Sequence, residues 1–154
     1  MKHLTIIFIL ILSCLSAKLF AQHLAEEEAI KKNINNLFTG MRNADSSMVR
    51  SAFNQGAILQ TIGKTKDGNG VVRSSDLNAF IASIAKPHPE IYDERIVFTK
   101  ILIDDQLASV WTDYQFYIGD KFSHCGVNSF QLVKVNDSWK IVYLIDTRRK
   151  EKCN

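Results

Sequence analysis

Apolar residues recur at three- and four-residue intervals in the first part of the chain and at alternate positions in the last part. The pattern therefore predicts helices followed by strands. Ala29, Ile30, Ile34, Leu37, Phe38 and Met41 make one stripe and predict a helix over residues 24–43, with Glu26, Glu27 and Glu28 in its first turn, where negative charge suits the helix dipole. Asp45 is the N-cap expected for a second, short helix that buries Met48, Val49, Ala52 and Phe53 and ends at Gly56. Residues 57–62 and 71–73 read as short strands around the turn Lys66-Asp67-Gly68-Asn69-Gly70. Those glycines do not make a phosphate loop, because no Lys-Ser/Thr follows the last of them and no helix opens there. Ser74, Ser75 and Asp76 cap a third helix carrying Leu77, Phe80, Ile81 and Ile84, which Pro87-His88-Pro89 closes.

Beyond residue 95 the alternation is that of strands, over 95–103, 107–118, 122–135 and 138–147. Asp104-Asp105, Gly119-Asp120 and Asn136-Asp137 serve as tight turns. Such a series predicts an antiparallel meander. The fold class is α+β, with three helices and about six strands. A curved antiparallel sheet wraps the long N-terminal helix as a half-open cone.

The first 21 residues change the picture of where the chain works. Lys2 and His3, the apolar run 4–12 and the end Leu19-Phe20-Ala21 have the plan of a secretory signal, with cleavage expected after Ala21. The run is too short to span a bilayer, which takes about 20 apolar residues. The expected product is a periplasmic or secreted single domain, residues 22–154. Ile11-Leu12-Ser13-Cys14 loosely resembles a lipoprotein cleavage box and leaves lipidation at Cys14 as the alternative. Removing 21 residues, two of them lysines, leaves 17 basic against 16 acidic side chains, so no basic field points to nucleic acid or an anionic membrane. The short run Arg148-Arg149-Lys150 reads as a solvated chain end. Cys125 is expected to be a buried thiol and Cys153 to lie on a mobile tail, a disulfide between them being the alternative open to an exported chain.

The opening helix, Val110-Trp111-Thr112, the run Phe122-Ser-His-Cys-Gly-Val-Asn-Ser-Phe-Gln-Leu132 and Trp139-Lys140-Ile141 resemble the nuclear transport factor 2-like superfamily. That superfamily includes ketosteroid isomerases, scytalone dehydratase and SnoaL-like polyketide cyclases. The resemblance covers about residues 24–149 and is greatest to exported bacterial proteins labelled lumazine-binding-like. It implies a cone-shaped pocket. It does not imply one activity, since the superfamily holds enzymes, binders and scaffolds.

Strand alternation says which residues face that pocket. With Asn136-Asp137 as a two-residue turn, Val135 pairs with Ser138 and Asn128 with Ile145. His124, Asn128, Phe130, Leu132, Trp139, Ile141, Tyr143 and Ile145 then share the concave face, while Leu144 and Asp146 face outward. In the strand 107–118, a two-residue turn at Gly119-Asp120 puts Trp111 and Asp113 inside; a three-residue turn including Lys121 puts Tyr114 inside. The candidate ligand-binding residues are therefore Trp111, Tyr114, His124, Asn128 and Tyr143, a few polar groups among aromatic ones. His124 also reads as a core histidine bonded within the fold. No catalytic set is assigned. His23, His88 and His124 lack metal-ligand spacing, no cofactor signature is present, and no Gly-x-Ser-x-Gly supports a nucleophile.

Three functions fit. The first is binding of a small apolar or aromatic ligand. The second is a cofactor-free lyase or isomerase using His124 with Asp113 or Tyr114. The third is a ligand-free interaction module that forms a homodimer through the outer sheet face.

Overall fold

The structure, a computed structural model, describes residues 2–87 and 89–153, with side chains from Phe20 onward. The expected export segment lies almost wholly before those side chains, and the side chain of Cys14 and all of His88 lie outside the described residues. The elements come in the predicted order: α1 (Lys2–Arg42), α2 (Ser46–Ala52), β1 (Phe53–Lys64), β2 (Gly70–Ser75), α3 (Leu77–Ala85), β3 (Tyr92–Asp104), β4 (Leu107–Ile118), β5 (Lys121–Val135) and β6 (Ser138–Thr147). Asp45 caps α2 by accepting from the Ser47 and Met48 amides, and Asp76 caps α3 by accepting from that of Ala79. The second helix stops at Ala52 rather than Gly56; Phe53 already begins β1, and Gly56, at φ 77°, lies where the register of that strand shifts. Because α1 extends back to Lys2, Glu26 is not in a first turn. It accepts instead from Lys134 Nζ at 2.6 Å and Trp139 Nε1 at 2.7 Å, which ties the helix to the far end of the sheet.

The six strands form one sheet in the order β2-β1-β6-β5-β4-β3. The meander β3 to β6 is antiparallel as expected, but β1 runs parallel to β6, so the sheet is mixed. Tight turns specify only neighbours in sequence; the β1–β6 pairing joins strands about eighty residues apart and has no local signal. Ile30, Ile34 and Leu37 of α1 are buried against the sheet with Phe130, Leu132 and Ile141. Each such side chain contributes about 1.5–3 kcal/mol by leaving water.

Three single-residue bulges interrupt the meander. Thr99 is extra between β3 and β4, Ser123 between β4 and β5, and Val142 between β5 and β6. Each bulge moves the following side chains to the other face. This overturns part of the alternation reading. Val135 does pair with Ser138, but past Val142 the partner of Asn128 is Asp146 and not Ile145. Leu144 and Asp146 consequently turn inward, and Tyr143 and Ile145 outward. The Gly119-Asp120 turn has two residues, yet the Ser123 bulge brings Phe116 opposite His124 and Tyr114 opposite Gly126. The Tyr114 set therefore lies inside, and Trp111 and Asp113 lie on the convex face.

The end of the chain is also placed differently from the expectation. Cys125 and Cys153 form a disulfide, so there is neither a free buried thiol nor a loose tail. Arg149 adds a bridge to β5, donating its amide to the Cys125 carbonyl at 2.8 Å and accepting from the Cys125 amide at 2.9 Å. The basic run 148–150 is pinned against the sheet rather than solvated as a free end.

Candidate functional site

The sheet is filled unevenly. Near Ile30 and Ile34 of α1 and the β5–β6 turn, hydrocarbon packs continuously; near the end of α1 a cavity of about 230 Å³ remains between α1, α3 and the concave face. Its volume lies just below the roughly 300 Å³ at which small-molecule sites begin. Leu37, Phe38 and Met41 of α1, Phe80 and Ile84 of α3, and Leu59, Phe116 and Leu144 of the sheet make its apolar walls. Polar groups from the sheet and the residue after it cluster here, Glu94, Asn128, Tyr114, Asp146, Thr61, Arg148 and His124, and Gln60, Ser75 and Ser83 complete the lining.

Glu94 reaches the cavity from β3, opposite Phe116. Its Oε1 accepts from Asn128 Nδ2 at 2.8 Å, and Asn128 also approaches Thr112 Oγ1 at 3.4 Å. Burial pushes the Glu94 carboxyl up to about 7, opposed by the Asn128 hydrogen bond and reinforced by the charge of Asp146. Part of Glu94 remains in contact with the void, since it borders the cavity, but the carboxyl lies deep in the protein. Depth sets the direction of the shift; water admitted to the cavity moderates it, and an apolar occupant enlarges it.

A second group centres on Asp146. Thr61 Oγ1 donates to one of its oxygens; Arg148 Nε donates to the other at 2.9 Å, where Tyr114 Oη also approaches at 3.3 Å. The stronger bond of Tyr114 is to the Thr147 carbonyl at 2.8 Å. Burial and the nearby Asp146 carboxylate raise the Tyr114 pKa far above the phenol range, so the hydroxyl stays protonated and its proton is committed to the fold. Gly126 makes this arrangement possible. A Cβ there would lie 1.8 Å from the Thr147 carbonyl oxygen and 2.7 Å from the Tyr114 ring. Only a residue without a side chain lets the ring lie across the strand at this point.

His124 stands at the rim, with its ring edge-on to Tyr114 and tilted against Phe116, at centroid distances of 5.7 and 5.1 Å. Its Nδ1 meets Ser123 Oγ at 3.0 Å. Burial, with the positive charge of Arg148, lowers its pKa, and the ring is neutral at pH 7.

Of the residues singled out from the sequence, Tyr114, His124 and Asn128 come together here. Trp111 is on the convex face, 49% exposed. Tyr143 also faces away from the cavity and donates to Gln60 Oε1 at 2.7 Å. Asp113, considered as a base, is on the convex face beside Val97 and Val127 in the pairing. Glu94 and Asp146 supply the carboxylates the sequence reading missed. A local signal existed for Glu94: it precedes the alternating run Ile96, Phe98 by the two residues that put it on their face. Asp146 had none, because its orientation depends on the Val142 bulge. Among the described residues, no group of three or more His, Cys, Asp or Glu side chains is arranged to hold a metal ion, and no helix is long and apolar enough to cross a membrane.

Comparison with known proteins agrees with this architecture. A structure of a nuclear transport factor 2-like protein of unknown function from Shewanella baltica superposes with a TM-score of 0.64 at 20% identity, covering 83% of this chain and 97% of the other. A conserved protein from Planctomyces limnophilus gives 0.67 at 15% identity, covering 81% and 97%. A domain of unknown function with a cystatin-like fold from Nostoc punctiforme gives 0.62 at 14%, covering 83% and 80%. At these identities the likeness is one of fold. Among curated proteins no significant match is found. A family model described as "Putative lumazine-binding" matches residues 25–144. The chain is thus a member of that lumazine-binding-like family and has the nuclear transport factor 2-like fold.

Proposed function

We propose that the protein binds a small, mostly apolar or aromatic ligand in the cavity between α1, α3 and the concave face of the sheet. The observation that carries this reading is an unfilled space of about 230 Å³ with largely apolar walls and a cluster of polar side chains from the sheet. Hydrocarbon walls favour a flat ring or short chain by burial, and the few convergent polar groups orient it. Asn128 and His124 offer neutral hydrogen-bonding groups, and a protonated Glu94 adds a donor. The family description, which names a small bicyclic ligand, also supports small-molecule binding.

Filling the space tests the reading. Leu144→Phe is expected to abolish binding of small bicyclic aromatics, followed by calorimetry, while the far-UV spectrum stays unchanged. His124→Ala is expected to weaken binding with little effect on the melting temperature. Undiminished affinity in Leu144→Phe would place the ligand elsewhere.

A second reading is favoured by Glu94 itself. A carboxyl with a pKa near 7 in a cavity is poised to take or give a proton at neutral pH. In an isomerase or lyase without cofactor, Glu94 would exchange the proton, taking the part first considered for Asp113. Solvent deuterium incorporation into a bound ketone, lost in Glu94→Gln, distinguishes this activity from binding alone.

Two further parts of the reading concern location and assembly. The chain is proposed to be exported after removal of the first 21 residues; the Cys125–Cys153 disulfide supports an oxidising compartment. A homodimer through the convex face is supported by exposed Val97, Leu102 and Trp111. Trp111→Lys should convert such a dimer to a monomer in light scattering.

A further inference from the structure

The basic end of the chain is not scattered over the surface. Lys64 from β1 and Arg148, Arg149, Lys150 and Lys152 from the tail line one groove, with Glu151 as the only acidic residue among its lining side chains. The rest of the protein carries no comparable excess: the whole chain has 19 basic and 16 acidic residues. Five of those cations therefore stand together while the overall charge is close to balanced.

Two observations connect the groove to the cavity. His124 and Arg148 line both, so the groove opens directly onto the polar side of the site. Arg148 is also fixed there: its Nε donates to Asp146 at 2.9 Å and its terminal nitrogen approaches Thr61 Oγ1 at 3.4 Å. The tail that supplies four of the cations is held in place by the Cys125–Cys153 disulfide and the Cys125–Arg149 bridge. A charged chain end left free would disperse its cations; here a covalent bond keeps them beside the mouth of an apolar cavity.

The geometry points to a ligand with two unlike ends: an apolar body that enters the cavity and an anionic group, a carboxylate, sulfonate or phosphate, that stays in the tail groove. This rests on the small-ligand reading above and adds the class of ligand to it. The charge inside the cavity agrees with the division. The Asp146 carboxylate on the polar side repels a second anion deep inside, so the negative group is held at the cationic mouth.

Matched probes test it: naphthalene sulfonate and its neutral counterpart naphthalene sulfonamide, titrated into the full mature protein by calorimetry. The sulfonate is expected to bind about tenfold tighter at low ionic strength, and the advantage should shrink as salt is raised. In the triple variant Lys64→Gln, Lys150→Gln, Lys152→Gln the advantage should fall to about threefold or less, with sulfonamide affinity unchanged, since these exposed lysines lie outside the cavity. Cys153→Ser, which frees the tail, should reduce the advantage in the same direction. Equal affinities in the unaltered protein, or a preference untouched by the triple variant, would overturn the two-ended ligand while leaving the cavity reading intact. Failure of both probes to bind would remove the cavity reading and this inference with it.

Discussion

The two ends of the helix–sheet sandwich are built from the same strands and behave in opposite ways. At the end near the β5–β6 turn, Phe130, Leu132, Trp139 and Ile141 close against Ile30 and Ile34, all of them buried. The polar groups there are held by bonds across the interface: Glu26 receives Lys134 and Trp139, and Asn33 donates to the Trp139 carbonyl at 2.6 Å. Among the described residues, Asn33 Oδ1 is the buried side-chain atom left without a partner. At the other end, where α1 stops at Arg42, the space between the helices and the sheet is only partly filled. Polar groups face inward there, and Glu94 is held protonated through part of the neutral range. A curved sheet whose concave face is filled by hydrocarbon at one end and only partly filled by α1 and α3 at the other has a core at the first and a site at the second.

The contrast can be broken most severely from the packed end. Phe130→Ala leaves a hole where the ring now meets Phe38 edge-on at 6.3 Å. It should cost about 3–5 kcal/mol in urea unfolding, because the surrounding sheet and helix cannot collapse onto the void.

At the open end the largest effect is one of pH. The folded-state pKa of Glu94, about 7, lies above its unfolded value of 4.5. Between these values the folded protein binds more protons than the unfolded chain, so the contribution of this group is complete below pH 4.5 and is lost as pH rises through 7. The loss amounts to roughly 3 kcal/mol for a dry site and less where water enters the cavity. Glu94→Gln should flatten this part of the stability–pH curve and leave the variant the more stable protein above pH 7.5, as urea titrations across pH 4 to 8 would show. An unchanged slope would mean that Glu94 is solvated.

A smaller effect with opposite signs sharpens the comparison further. Leu144→Phe adds volume beside the cavity and should raise stability by about 0.5–1 kcal/mol. Leu132→Phe adds the same volume at the packed end and should lower it by about 1–3 kcal/mol. Thermal melts of both variants under one condition suffice; equal changes in both would mean that the two ends are packed alike.

What could be read in advance followed from local chemistry. The apolar stripes of α1 and α3, the caps at Asp45 and Asp76, and the two-residue turns at Gly119-Asp120 and Asn136-Asp137 are each specified by residues close in sequence. So is the inward direction of Asn128 relative to Phe130 and Leu132, since they lie on one uninterrupted stretch of β5. Tyr143, Trp111 and Asp113 were assigned or weighed for the wrong face for one shared reason. A bulge inserts a single residue without a distinctive composition, and nothing in Ser123 or Val142 marks them as the extra ones. The place of the bulge is decided by how the whole sheet bends to cover α1.

The sequence by itself determined the kinds of element, their order and the apolar face of each helix, because propensity, capping and periodicity act within a few residues. Tertiary structure alone decided that β1 lies parallel to β6, that Cys125 meets Cys153, and that Glu94 and Asp146 share a cavity with Asn128. Those outcomes join segments far apart in the chain, and their energies come from burial and register summed over the whole sheet, which no local stretch contains.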